Sequence, residues 1–274
     1  MALVTGVTSL ALFGTAQAQT YFINGWGNDN DSISGTTIVD SGSGGNFTVS
    51  GTPTASADWR AALPSGPITL SVGNSLELSG SFTVNSSGYM GGGVFRIGIL
   101  DFTSLGTLSG TTWNVSSSDS GVTGYWWGLP TSGGGVSNPG GGEITVKPTG
   151  AGNAWYSGNN GHSVSGTGNS NSGNIGNGGT YNFSLTLTEL SASSVRIQYS
   201  MAGGSYSESG TVTDSSYALS AFNAVGFFAN GSDAAFASPG VSFSGITETV
   251  VPEPSSLALL GGALMALGVI RRRK

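Results

Sequence analysis

Alternation of apolar and polar residues with a period of two is the feature that most restricts the fold of this chain. Leu76, Leu78, Phe82 and Val84 fall on one face of residues 75–85. This spacing is typical of a strand that buries one face and exposes the other. The pattern and its intervening Gly, Asn and Ser turns predict roughly a dozen strands. The other predicted strands are 36–40, 46–50, 68–72, 94–101, 125–129, 143–147, 180–189, 194–200, 206–213, 222–229 and 241–247.

Composition supports an all-β fold. The chain of 274 residues contains 48 Gly but only 8% charged residues, as expected where tight turns join short strands. A hydrophobic share of 37% is enough for a packed core. Two stacked antiparallel sheets bury many one-faced strands, so we expect an antiparallel β-sandwich. Residues 55–63 alone are predicted as a short helix within this body, and residues 157–179, rich in Gly, Asn and Ser, as a long loop.

Charge excludes one class of partner. Four of the eight basic residues form the C-terminal run, so residues 1–270 carry four basic against fourteen acidic residues, a net charge of −10. Nucleic-acid binding needs a basic surface that replaces phosphate counterions, and the body of this chain has none. The absence of cysteine also excludes disulfides and thiolate chemistry.

The N-terminus has the character of an export signal. An apolar stretch at residues 7–13 precedes Ala16-Gln17-Ala18, the small-x-small pattern that signal peptidase recognises. Residues 1–18 are therefore predicted to be a signal peptide that is cut before Gln19. No Lys or Arg precedes the apolar stretch, which departs from the usual pattern, and a buried N-terminal strand or helix is the alternative.

The C-terminus contains three ordered elements. Pro252-Glu253-Pro254 is followed by an apolar run at residues 257–270 and then by Arg271, Arg272, Arg273 and Lys274. The prolines keep their segment extended and accessible. The apolar run is predicted to be a single hydrophobic helix, and the basic cluster to stay on the cytoplasmic side of a membrane.

This order of elements closely resembles the PEP-CTERM sorting signal. The resemblance covers residues 251–274 only. It implies export, transient anchoring in the inner membrane and cutting near Pro252-Glu253-Pro254 by an exosortase, with an ordinary membrane anchor as the alternative. The predicted organisation is thus a signal peptide at 1–18, a β-sandwich at 19–250 and a sorting segment at 251–274.

The order of features in residues 66–248 resembles the concanavalin A-like jelly roll of laminin G-like and legume-lectin domains. The segments that carry this resemblance include residues 95–101, 124–126, 225–228 and 241–243. The resemblance implies a lectin-like sandwich.

The best candidate for a sugar platform is Tyr125-Trp126-Trp127. Along a strand Trp126 points to one face and its two neighbours to the other, which would leave at least one flat ring for a pyranose. A packed core aromatic is the alternative.

Signals for catalysis or a metal are weak. Glucanases of this fold family carry a Glu-x-Asp-x-x-Glu strand, and that spacing does not occur here. The single histidine, His162, falls in the predicted Gly/Asn loop, so we interpret it as a solvated residue rather than as part of a triad. Residues 28–31 (Asn-Asp-Asn-Asp), and the pair Asp101 and Asp119, could ligate calcium, but acidic turns explain them as well. We therefore predict no metal and no cofactor.

Together these features predict a non-enzymatic, exported protein of the cell surface or biofilm matrix. Its predicted partners are signal peptidase and exosortase during export, and exopolysaccharide is the candidate ligand. Two alternatives stay open: a secreted hydrolase with an unrecognised site, and a purely structural matrix protein.

Overall fold

A computed structural model describes most of the body of the chain. The described residues are 17–29, 36–51, 57–88, 94–102, 108–109, 112–113, 121–130, 143–148, 161–164, 175–176, 178–204, 206–229 and 234–252. Within them lie one short 3-10 helix, Ala234–Phe236, and nineteen strands. The strands are β1 Gln19–Phe22, β2 Gly27–Asp29, β3 Thr36–Asp40, β4 Phe47–Gly51, β5 Ala57–Ala62, β6 Ile68–Thr69, β7 Ser75–Val84, β8 Val94–Asp101, β9 Leu108–Ser109, β10 Thr112–Trp113, β11 Thr123–Pro130, β12 Glu143–Lys147, β13 His162–Val164, β14 Thr180–Ser191, β15 Ser194–Gly203, β16 Tyr206–Asp214, β17 Ala221–Phe222, β18 Ala224–Ala229 and β19 Val241–Val251.

The strands form two large sheets and one small one. The first sheet has the order β16-β15-β14-β7-β19-β4-β3, and β1 pairs with the second half of β19. The second sheet has the order β13-β12-β11-β8-β18-β5-β2-β10-β9, and β17 pairs with β6. All described pairings are antiparallel except that of β2 with β10. The predicted all-β antiparallel sandwich is therefore confirmed.

The hydrophobic core lies between the two large sheets. The predicted buried face of β7 is confirmed, because Leu76, Leu78, Phe82 and Val84 are all buried. Gly80 occupies the remaining inward position on this strand, where a β-carbon would lie 2.5 Å from Cδ1 of Ile246. The missing side chain thus makes room for Ile246 in a densely packed interior.

The outer face of the first sheet is covered with hydroxyl groups that pair across strands. Thr83 bonds Thr180 at 2.8 Å, and Ser184 bonds Ser200 at 2.9 Å. Such pairs stabilise neighbouring strands while keeping the surface polar. The polar half of the period-two pattern therefore lies where the sequence predicts it.

Two local predictions were wrong. Residues 57–62, inside the predicted helix at 55–63, form β5, in which Trp59 and Ala61 are part of the core while Asp58 and Arg60 point the other way. Pairing with β18 on one side and β2 on the other holds this segment extended. His162, predicted in a loop, instead begins β13 and pairs with Val146.

The two ends of the described chain meet in the first sheet. Gln19, the first residue after the predicted signal-peptide cut, is the register partner of Val250. β19 ends at Val251, directly before Pro252. The predicted hydrophobic helix at 257–270 lies outside the described residues, and no helix within them is both long and apolar enough to span a bilayer.

Candidate functional site

The predicted sugar platform is buried. In β11, Tyr125 and Trp127 point into the core between the sheets, and Trp126 points to the outer face of the second sheet. The exposed fractions of Tyr125, Trp126 and Trp127 are 0%, 1% and 0%. Rings covered on both faces offer no surface to a pyranose, so the structure corrects the interpretation of these residues as a platform.

Trp126 is covered although it faces away from the main core. It packs in a second, smaller apolar cluster with Leu100, Phe102, Val122, Ala224 and Phe228. The period-two pattern placed its side chain on the correct face of the sheet. It could not indicate that this outer face is itself covered.

The same outer face buries charged side chains. Asp58 and Arg60 form an ion pair of 2.6 Å and are both fully buried. The guanidinium of Arg60 also lies 4.6 Å from the ring centre of Phe102, and that of Arg96 lies 4.9 Å from the ring centre of Phe228. Ion pairing and contact with aromatic faces both offset the cost of burying these cations.

Tyr125 instead connects the two sheets. Its hydroxyl donates a hydrogen bond of 2.8 Å to Oδ2 of Asp214, which ends β16 at the edge of the first sheet. The same hydroxyl accepts a bond of 2.9 Å from the backbone amide of Leu219. Burial, together with the charge of Asp214, raises the pKa of Tyr125 far above its ordinary value, so the phenol stays protonated and acts as the donor.

Asp214 holds the loop that follows β16. Its carboxylate accepts hydrogen bonds of 2.9 to 3.1 Å from three consecutive backbone amides, those of residues 216–218. Ala218 adopts a positive φ of 39° within this loop, a conformation that needs such support in a residue with a β-carbon. The Asp-Ser-Ser sequence after a strand was the available signal for such a side-chain-stabilised turn.

A polar groove opens beside this loop where the edges of the two sheets meet. We call it the rim groove. It has a volume of about 240 Å³ and is lined by Val146, Ser163 and Val164 from the second sheet and by residues 213–217 from the first. The carboxylate of Asp214 is occupied by its internal hydrogen bonds, so the serine and threonine side chains supply the groove's polar surface.

A stacked aromatic pair borders the rim groove. The rings of His162 and Tyr217 lie 4.6 Å apart at an interplanar angle of 21°. Both residues are exposed, Tyr217 to 39%. This is the exposed, flat aromatic surface beside polar side chains that the sequence had suggested for residues 125–127. Sequence reasoning missed it because the two residues are 55 positions apart.

A second buried carboxylate lies on β16. Glu208 accepts hydrogen bonds from the hydroxyl of Tyr206 and from Nε1 of Trp127. Burial and the charge of Glu208 raise the pKa of Tyr206. Glu208 and Asp214 are six residues apart on one strand face, about 20 Å at the usual rise. That is far beyond the 5 to 9.5 Å that separates the carboxyl groups of glycosidases.

The residues that could have ligated calcium are dispersed or lie outside the described residues. Asn28 and Asp29 lie in β2 and Asp101 ends β8, whereas residues 30–31 and Asp119 are not described. In the part of the chain that the structure describes, no group of three or more His, Asp or Glu side chains could hold a metal ion.

Fold and termini together define the class. Residues 250–274 match the PEP-CTERM protein-sorting motif, which marks an exported protein with a C-terminal membrane-anchoring signal. The body of this exported protein is an antiparallel β-sandwich. Of the residues predicted to form this signal, the structure describes Pro252, and Glu253, Pro254 and residues 271–274 lie outside the described part. Ala16 of the predicted signal-peptidase site is also outside it.

Comparison with solved structures finds proteins of similar architecture. They include the lectin UEA-II complexed with galactose, at 15% identity over 87% of this chain and 99% of that one, with a TM-score of 0.41. The carbohydrate recognition domain of Emp47p is 9% identical over 81% and 91%, with a TM-score of 0.43. The PL-14 alginate lyase of Aplysia kurodai is 13% identical over 72% and 76%, with a TM-score of 0.38. No curated protein matches the chain. Similarity at this level says nothing about the activity of this protein.

Proposed function

We propose that this protein binds polysaccharide at the cell surface or in the extracellular matrix without cleaving it, and that the rim groove is the binding site. The observation that carries the proposal is the exposed stack of His162 and Tyr217 beside the polar groove. An aromatic plane packs against the apolar face of a sugar ring, while nearby hydroxyls bond its polar edge. The volume of the groove is smaller than that of pockets for drug-sized ligands, which begin at about 300 Å³. It therefore suits one sugar residue of a longer chain.

The internal hydrogen bonds of Asp214 give this site its rigidity. By fixing the amides of residues 216–218, the buried carboxylate holds Tyr217 in position before any ligand arrives. A preformed site loses less conformational entropy on binding than a mobile loop does. The exposed aromatic ring therefore sits on a supported turn.

Export supplies the protein to that location. We propose that residues 1–18 are removed before Gln19 by signal peptidase, which would recognise Ala16 and Ala18. Residues 251–274 would anchor the chain transiently in the inner membrane until an exosortase cuts near Pro252-Glu253-Pro254. The sandwich at 19–250 would then reach the surface, with exopolysaccharide as its ligand.

A glycan array probed with the mature protein tests the proposal. We expect binding to at least one polysaccharide, loss of that binding in Tyr217→Ala, and retention in Tyr21→Ala. Tyr21 is a matched control because it is a tyrosine of similar exposure, 37%, on β1 and away from the rim groove.

The outcomes separate the three functional classes. Release of reducing ends from a bound polysaccharide would indicate a hydrolase. Silence on the array would favour a purely structural protein. Binding that survives Tyr217→Ala would move the site elsewhere on the molecule.

A further inference from the structure

One end of the first sheet carries the chain terminus that leads into the sorting segment. β19 ends there at Val251, whose register partner is Ser75 at the start of β7. One residue further towards this end of the sheet, Asp214 at the end of β16 pairs with Val195. We call this end, with its turns at residues 70–75, 190–194 and 215–220, the tag end.

Exposed apolar side chains are concentrated at the tag end. Seven large hydrophobic side chains are exposed among the described residues, and Val72, Leu190, Tyr217 and Val251 lie in its turns or at its strand end. Two more lie on the adjacent β1. The seventh, Val39, is at the opposite end of the sheet. Such clustering is typical of a surface that contacts an apolar partner.

The tag end also lacks exposed charge. Its three turns and residues 249–252 contain no Lys, Arg, Asp or Glu. Among the described residues the nearest carboxylates, Glu189, Asp214 and Glu248, are buried; Glu253 follows in the connection to the anchor, outside the described residues. An apolar surface that includes a tyrosine suits the interfacial region of a lipid bilayer, where amphipathic rings are favoured.

We propose that the tag end rests on the lipid surface while the C-terminal segment anchors the chain. Only residues 252–256 separate Val251 from the apolar run that begins at Leu257, so an extended connection spans at most about 20 Å. The anchor therefore holds these exposed side chains next to the headgroups. The exposed apolar side chains bury their surface in the lipid interface, and this contact together with the anchor fixes one orientation of the sandwich on the membrane. This inference rests on the anchoring signal. The tag end shares Tyr217 with the rim groove, so the lipid contact belongs to the anchored protein and glycan binding to the released one.

Site-specific fluorescence in the full-length chain tests this contact. Because the chain contains no cysteine, Leu190→Cys and Val39→Cys each introduce a single labelling site for a small fluorophore. Val39 is a matched control, since it is also an exposed apolar residue. Register pairing across the sheet aligns it with Thr83 on β7. Thr83 lies eight residues from Ser75, which places Val39 about 27 Å from the tag end. In phosphatidylcholine vesicles that contain headgroup nitroxide lipid, we expect strong quenching at position 190 and none at 39. Equal quenching at both positions would overturn the proposal.

A second variant separates contact by the side chains from mere tethering. A fluorophore at Ser193→Cys reports on the tag end, and the double substitution Val72→Ser with Leu190→Ser removes two of its apolar groups. We expect the double variant to lose quenching at 193 while its thermal unfolding stays unchanged, because both side chains are exposed. Quenching that persists at the original level would show that the tether alone brings this end to the lipid. Neither substituted residue lines the rim groove, so failure here leaves the glycan-binding test intact.

Discussion

The hydroxyl of Tyr125 in the second sheet donates a hydrogen bond of 2.8 Å to the carboxylate of Asp214 at the edge of the first. This bond joins an interior strand of one sheet to the loop that presents Tyr217. The position of the exposed ring of Tyr217 therefore depends on the buried Tyr125. The rim groove is thus supported from within the core.

Tyr125→Phe should release this loop. The substitution removes one donor to Asp214 and one acceptor from the amide of Leu219, and it should cost about 1 to 3 kcal/mol of unfolding free energy because buried partners are left unpaired. Hydrogen exchange should show lost protection at residues 216–219. Tyr181→Phe is the control, since the buried hydroxyl of Tyr181 bonds the backbone of Gly176 instead. If both variants lose protection in this loop equally, the link from Tyr125 does not exist.

Trp126→Ala and Trp127→Ala should both destabilise the fold. Each removes a buried indole and leaves a cavity, for which we expect a loss of about 3 to 5 kcal/mol. Tyr217→Ala removes an exposed ring and should change the unfolding free energy by less than about 0.5 kcal/mol. Chemical denaturation of the three variants measures the difference. An unchanged midpoint for either tryptophan variant would contradict the burial of that ring.

Glu248 should make the protein less stable as the pH rises. Its side chain is fully buried, and burial raises its pKa, an effect that hydrogen bonds from Ser65 only partly offset. The folded state therefore holds a proton that the unfolded state has released, so the unfolding free energy falls as pH rises from the ordinary glutamate pKa through the raised one. Glu248→Gln should flatten this dependence in denaturation curves measured from about pH 4 to pH 8. Glu77→Gln, on the outer face of the same sheet, is the control, and an equal flattening in that variant would contradict the assignment to Glu248.

Processing should trim the chain at both ends. Mass spectrometry of the extracellular protein should find an N-terminus at Gln19 and nothing beyond the Pro252-Glu253-Pro254 region. Replacing Arg271, Arg272, Arg273 and Lys274 with serine should reduce membrane retention before the cut, because positive charge holds such a segment on the cytoplasmic side. Extracellular protein that still contains residues 271–274 would argue against removal of the tag.

Local sequence was sufficient to predict where most strands lie and which face of a strand is buried. The alternation in β7 correctly predicted which of its side chains are buried, because successive side chains of a strand point to opposite faces whatever the strand pairs with. The sorting motif was equally readable, since Pro252-Glu253-Pro254, the apolar run and the basic end are contiguous. Such features depend on neighbours in the chain alone.

Tertiary structure decided everything that depends on distant segments. Residues 57–62 became a strand because β18 and β2 pair with them, and Trp126 became buried because an outward face can itself be covered. The site could not be read from the sequence for the same reason. His162 and Tyr217 lie on strand and loop segments from different sheets. They meet where the edges of the two sheets pack together, next to the hydrogen bond between Tyr125 and Asp214, which are 89 positions apart. A period-two pattern specifies which way a side chain points, but the pairing of sheets specifies what it meets.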